Sequence, residues 1–370
     1  MLAVEQPVEA GASAPALAPL DGDQPATSAA APPPILFPVY TGADEMGEVP
    51  RISANDITPE EFEARYIKRG MPVVLTGAMD AWPAYMQGSS RKWTFDFFTK
   101  QYGDEPCTVD TYGTKEETTL GEYIAKLEGY GEAALAKKQV PYLRTWYFSD
   151  DIPELVDDFE PPRHFHTTDA FMRLPEDLQP PFRWLFFGPA GTESKVHVDV
   201  WETDAWLGML EGHKTFTLFH PAHRKHIEAD HNVFPDLLAP ADPACFPDQA
   251  KAVPAQVLLG PGEIIYIPRK WPHHAVAQTA SISLTLNFAP AAARTSVMEK
   301  VIPYAKNRGR CQMLLGRTLR ARDNLMQLCI HGGKIKYGDF KEAGKARNPM
   351  AGADQENDEE EEEEEEEEDS

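Results

Sequence analysis

The strongest chemical signal in this 370-residue chain is His197-Val198-Asp199. Residues i and i+2 of a strand face the same side, so extended backbone here presents an imidazole and a carboxylate together. A second imidazole is available from His273 or His274, in PRKWPHHAV, directly after the apolar segment EIIYIP and 76 residues beyond His197. Two histidines and one carboxylate are the donor set of the facial triad that holds non-haem Fe(II). Three ligands on one face leave three positions open, which suits a chelating 2-oxo acid and dioxygen.

A dicarboxylic 2-oxo acid also carries a distal carboxylate. It needs a cation, best placed where water is excluded and a charged hydrogen bond is strong. Lys214 opens the apolar segment KTFTLF directly after Gly212-His213. A lysine at that position is costly to bury without an anionic partner; the alternative is a side chain that snorkels to the surface. Thr285, in the alternation Ile282, Leu284, Leu286, is a second polar candidate. Other histidines carry less. His220, His223, His226 and His231 have no carboxylate or cysteine arrangement to complete a ligand set and are expected in a solvated loop. Arg163-His164-Phe165-His166 is expected in a surface loop near the mouth of the fold. No glycine-rich phosphate loop follows a strand.

Elements must position these groups. Thr58-Pro59-Glu60-Glu61 is a capping box with proline at the first helical position, and Gly70 stops the helix that follows. MPVVLTG reads as a buried strand. Thr94 to Gln101 reads as a short helix, and Thr119-x-x-Glu122 caps a third with Leu120, Ile124 and Leu127 at helical spacing. From about Val140 the pattern changes to short β-rich segments separated by Pro, Gly and Asp: PYLRTWYF, FRWLFFG, KVHVDV, AWLGMLEG, KTFTLFHP, AQVLLGPGEIIYIP, HAVAQ and SISLTLNF. Many short strands with turn signals indicate an antiparallel sandwich or barrel. After Pro290 leucines return to helical spacing, and the basic stretch Arg308 to Arg322 reads as the polar face of such a helix.

Composition bounds the reading. Apolar residues are 42% and aromatics 10%, enough to bury a core. No run approaches the ~18 apolar residues of a membrane span, and the N terminus lacks a basic n-region and an apolar h-region. The expectation is a nuclear or cytoplasmic protein, neither secreted nor membrane-bound. Four cysteines without a CxxC pattern argue for reduced thiols. The net charge of −24 includes fourteen acidic residues between Asp354 and Asp369, and removing them leaves −10. The folded part is therefore only mildly acidic and has no footprint of a phosphate-backbone binder, so nucleic acid is not an expected partner.

The segment from Phe182 to Phe288 resembles the Jumonji-C branch of the cupin superfamily, the Fe(II)- and 2-oxoglutarate-dependent dioxygenases. HVDVWETDAWLGMLEGHKTFTLFHP and PGEIIYIPRKWPHHAVAQ…SISLTLNF are similar to its arginine-demethylase and lysyl-hydroxylase branch. MPVVLTGAMDAWPA, WTFDFFTKQYGD and PYLRTWYF resemble that branch's N-terminal half, so the likeness covers about residues 48 to 290. It implies a mainly β fold with flanking helices: a double-stranded β-helix (jelly-roll cupin) core with disordered termini. It implies Fe(II) bound by His197, Asp199 and His273, the last preferred over His274 because WPH aligns with the family's distal histidine. It implies 2-oxoglutarate as co-substrate with O2, its distal carboxylate paired with Lys214, and Ser194, Tyr142, Thr285 and Asn287 as further contacts. Two departures stand out: Leu207 where an asparagine is common, and Pro272 where a second tryptophan is.

The implied organisation is an Ala/Pro-rich disordered segment (1–35), an N-terminal helical and strand part packing on the barrel (36–139), the β-helix core (140–290), C-terminal helices (291–345) and a disordered acidic tail (346–370). The implied reaction is hydroxylation of a protein side chain, lysine or arginine, or N-demethylation through hydroxylation. The alternatives are a catalytically silent cupin scaffold that binds basic proteins such as histones or ribosomal proteins through the tail, and a dioxygenase of RNA or a small molecule. The C-terminal helices are candidates for a homodimer contact.

Overall fold

The computed structural model describes residues 49–293, apart from 112, 136–138, 167–168, 170, 172–181 and 231. The expected Ala/Pro-rich segment, the C-terminal helices with their basic stretch and dimer contact, and the acidic tail lie outside the described residues.

In chain order the elements are β1 (Arg51–Ser53), α1 (Pro59–Phe62), β2 (Val73–Thr76), α2 (Phe95–Tyr102), β3 (Pro106–Thr111), β4 (Thr114–Thr119), α3 (Leu120–Ala125), α4 (Leu127–Leu135), β5 (Leu143–Trp146) and β6 (Arg183–Gly188). Then follow β7 (Glu193–His197), β8 (Asp204–Glu211), β9 (Lys214–Phe219), β10 (Pro254–Leu259), β11 (Glu263–Ile267), β12 (His273–Ala277) and β13 (Ser281–Phe288). The caps read from sequence form as hydrogen bonds. Thr58 accepts from the Glu61 amide while the Glu61 carboxylate accepts from the Thr58 amide, a reciprocal capping box. Thr94 and Thr119 cap α2 and α3 in the same way from the side chain. The third expected helix is broken at Lys126 and restarts as α4. The β3–β4 hairpin escapes the sequence reading because β4, TKEETT, is exposed along most of its length and has no apolar alternation to betray it.

Two antiparallel sheets face each other. The larger has the order β1-β2-β11-β8-β13-β6-β5, with only β1–β2 parallel; the smaller has the order β10-β9-β12-β7. Each sheet mixes strands distant in sequence, as a double-stranded β-helix requires. The strands β1 and β2, from before residue 139, extend the larger sheet through the β11–β2 pairing. Between the sheets lies a cluster of Ala205, Leu207, Met209, Phe216, Leu218, Val257, Leu259, Ile265, Ile267 and Trp271. The other face of the larger sheet, with Trp206, Tyr266, Ile282, Leu284 and Phe288, packs against Phe62, Trp93, Phe98 and Tyr123 of the helical part. This mainly β jelly roll with helices on its outside is the architecture expected. No helix among the described residues is long and apolar enough to cross a membrane.

Candidate metal centre and co-substrate pocket

His197 ends β7 and His273 begins β12, and the two residues are direct cross-strand partners. Asp199 follows two residues later in extended conformation, φ −55 and ψ 150. Their donor atoms lie within 4.8 Å of one another, the one converging group of three such side chains among the described residues. His197 Nε2 stands 3.9 Å and His273 Nε2 4.0 Å from the same Asp199 oxygen. The imidazole centroids are 4.3 Å apart.

Backbone carbonyls fix the rings. His197 Nδ1 meets the Lys195 carbonyl at 2.7 Å, and His273 Nδ1 meets the Trp271 carbonyl at 2.9 Å. A carbonyl can only accept, so each Nδ1 carries a hydrogen and each ring turns its Nε2 edge toward Asp199. His273 is buried, and burial, with the neighbouring His197 adding to it, pushes its pKa down to about 4. The ring is therefore neutral near pH 7, the form a metal ligand needs. Two imidazoles and one carboxylate converging near the end of a barrel fit a divalent transition metal with open positions.

Lys214, at the start of β9, is buried between the sheets. Its ammonium donates to Tyr142 Oη at 3.0 Å and to Ser283 Oγ at 2.8 Å, and lies 5.2 Å from the centre of the Phe186 ring. Ser194 is in hydrogen-bonding contact with the same tyrosine hydroxyl. No carboxylate among the described residues partners this lysine, and burial alone pulls its pKa down to about 7. Burial pushes the Tyr142 hydroxyl well up, so it stays protonated. The Ser281 hydroxyl, two residues along the same face from Ser283, is buried without a hydrogen-bond partner among the described residues. A buried ammonium surrounded by hydroxyls and lacking an anion fits the distal carboxylate of a 2-oxo diacid.

The other expected residues sort as follows. Thr285 and Asn287 share the face of Ser283, but Thr285 donates to the Trp206 carbonyl at 2.7 Å and Asn287 donates to Thr203 at 2.9 Å. Ser283, absent from the sequence reading, is the β13 residue that reaches the lysine. Its signal was the alternation that pointed to Thr285, two positions on. His274 faces away from the metal centre and meets Glu193 at 2.8 Å. Leu207 belongs to the apolar cluster between the sheets.

Two expectations fail. Arg163–His166 is a helical turn rather than a surface loop: His164 and Phe165 are buried, and the His164 ring bonds the Ile57 carbonyl at 3.0 Å, because Phe62 and Tyr266 offer an aromatic bed for Phe165. His220 to His226 form two short helical turns rather than a loop, opened by Pro221 and tied by Arg224 to Glu228. The His223 and His226 rings are 6.1 Å apart and His220 packs edge-on against Trp271, so no ligand set converges there; His231 lies outside the described residues.

Paired β sheets with a two-histidine, one-carboxylate centre near one barrel end define a cupin-type metal-binding protein. Residues 59–293 match the cupin-like domain, and the chain belongs to that family. Among characterised relatives it is 28% identical over 287 residues to the arginine-specific demethylase JMJ22 of Arabidopsis thaliana, covering 73% of this chain and 51% of the relative. It is 25% identical over 318 residues to the bifunctional arginine demethylase and lysyl-hydroxylase psr-1 of Caenorhabditis elegans, covering 80% and 74%. It is 28% identical over 246 residues to the human 2-oxoglutarate and iron-dependent oxygenase JMJD4, covering 60% and 57%. The matches thus span from about half to three quarters of these relatives' lengths.

Proposed function

We propose that this chain is an Fe(II)- and 2-oxoglutarate-dependent dioxygenase that oxidises a protein side chain, a lysine or an arginine, by hydroxylation or by N-demethylation through hydroxylation. The observation that carries the reading is the joint presence, in one barrel, of the His197, Asp199, His273 centre and the buried Lys214 with no carboxylate partner among the described residues. A scaffold gains nothing from a lysine buried in this way. The names of the relatives support the lysine or arginine target.

His197, Asp199 and His273 hold the iron, and Lys214 binds the distal carboxylate of 2-oxoglutarate. Bound iron supplies the chemistry that couples oxidative decarboxylation of 2-oxoglutarate, giving succinate and CO2, to oxidation of a substrate C–H bond by O2. Tyr142 and Ser283 orient the lysine ammonium, and Ser194 orients the tyrosine hydroxyl. Phe186 and the apolar residues between the sheets keep water from this charge pair, which strengthens it. The acidic run that ends at Asp369 favours a basic protein as substrate or partner through charge complementarity.

The test is an anaerobic titration of metal-free protein with Fe(II) and 2-oxoglutarate, read by the visible charge-transfer band of the chelate. The wild type develops the band, His197→Ala does not, and Lys214→Ala keeps iron but loses the response to 2-oxoglutarate. A folded wild type that shows no band overturns the proposal and leaves a binding protein.

A further inference from the structure

β7 carries His197, yet it is the edge strand of the smaller sheet and has only β12 as a neighbour there. The ladder between them is interrupted. His273 pairs with His197, but Ala275 pairs with Ser194 and Val276 with Glu193, so β7 places two residues, Lys195 and Val196, opposite the single His274. This bulge puts both Ser194 and His197 on the inner side despite their odd spacing, and it removes ladder bonds beside the metal centre. On its other side β12 is in unbroken register with β9, from His273 opposite Leu218 to Ala277 opposite Lys214. One ligand strand is thus fixed and the other hangs from it across a gap.

His274 is the β12 residue opposite the gap. It points to the outer side of the sheet, where its Nε2 meets Glu193 Oε2 at 2.8 Å. Both side chains are buried, 2% and 4% exposed. A buried ionisable pair adds little net stability over a well-packed apolar pair, whereas it does fix geometry. From this placement we propose that Glu193 and His274 are positioning residues for the metal centre: their side-chain bond replaces the missing ladder bonds and holds His197 in line with His273. The proposal rests on the reading of His197, Asp199 and His273 as a metal site.

The experiment is a Co(II) titration of the metal-stripped full chain, recording dissociation constant and visible ligand-field spectrum beside a thermal unfolding curve. Wild type must bind Co(II); if it does not, the metal-site reading itself fails. In Glu193→Leu/His274→Leu the pair is replaced by apolar side chains, so the fold is kept and the tie is lost. The Co(II) dissociation constant then rises about tenfold or more, the range seen when groups that orient metal ligands are removed, and the spectrum changes. Thr215→Val removes the Gln278–Thr215 bond, 3.0 Å, which ties the residue just after β12 to β9 instead. It leaves Co(II) affinity and spectrum as in wild type. If the double variant does not fold, Glu193→Asp decides: it keeps the carboxylate but draws it back by one methylene, and it weakens Co(II) binding at unchanged fold. Wild-type affinity and spectrum in the folded double variant, or in Glu193→Asp where the double variant does not fold, overturn the proposal.

Discussion

On one face of β13, Ile282, Leu284, Leu286 and Phe288 are buried against the aromatic residues of the helical part. On the other face Ser281, Ser283, Thr285 and Asn287 are buried as well, but toward the smaller sheet and the Lys214 ammonium. Both rows are shielded from water, so burial does not distinguish them; what they bury does. The apolar row gains stability from area removed from water. The polar row must satisfy its own hydrogen bonds, and it does so through Lys214, the Trp206 carbonyl and Thr203, with the Ser281 hydroxyl left over among the described residues. One strand therefore supplies the apolar core with one face and surrounds a buried ammonium with the other.

That division can be broken most strongly from its functional side. Lys214→Ala removes the buried ammonium beside Tyr142 and Ser283, and 2-oxoglutarate binding, read as tritiated or fluorescence-displaced ligand, falls by at least about a hundredfold, as loss of a buried charge pair implies. Co(II) affinity stays within about twofold. Unchanged 2-oxoglutarate binding would show that the carboxylate lies elsewhere.

From the core side, Leu284→Ala destabilises the fold by about 2–5 kcal/mol in chemical denaturation, since it opens a cavity in a packed layer. Per folded molecule its 2-oxoglutarate affinity is unaltered. A loss of affinity without loss of stability would contradict the separation of the two faces.

The pH dependence sharpens the contrast. Lys214 has its pKa lowered to about 7 when folded, against 10.5 for an ordinary lysine. Between those values the unfolded chain binds more protons than the folded one, so this group makes the co-substrate-free protein more stable as pH rises from about 7 to 10. Lys214→Met removes the effect: the stability gained over wild type is greatest at or below pH 7 and shrinks toward pH 10. A gain independent of pH would mean that the lysine is not buried as a base.

The smallest effect belongs to Ser283→Ala. It removes one of the two oxygens that hold the ammonium, and 2-oxoglutarate affinity drops about fivefold, the size of one ~1 kcal/mol hydrogen bond. The change in thermal midpoint is slight. No change in affinity would reduce Ser283 to a core serine.

Much of this was legible in the residues. The alternation of SISLTLNF announced the two faces of β13, and the spacing of His197 and Asp199 foretold that their donor atoms share one side, where the fold brings them within 4.8 Å of each other and of His273. The threonine caps of α1, α2 and α3 were local signals with local partners. The failures were tertiary. His164 and Phe165 read as surface because RHFH is a short polar segment with no apolar period, yet Phe62 and Tyr266, far away in the chain, pack against them. Nothing local in PRKWPHHAV separates His273 from His274; strand register sets His273 opposite His197 and turns His274 to Glu193.

The sequence by itself determined which donor types are present and that short strands carry them, because residue type and the two-residue period of a strand are local properties. Only the tertiary structure decided which of them meet. A bulge in β7 brings Ser194 and His197 to one side, the β12–β7 pairing sets His197 opposite His273, and the packing of two sheets buries Lys214 against Tyr142 and Ser283. These are consequences of register between strands distant in the chain, which no window of sequence contains.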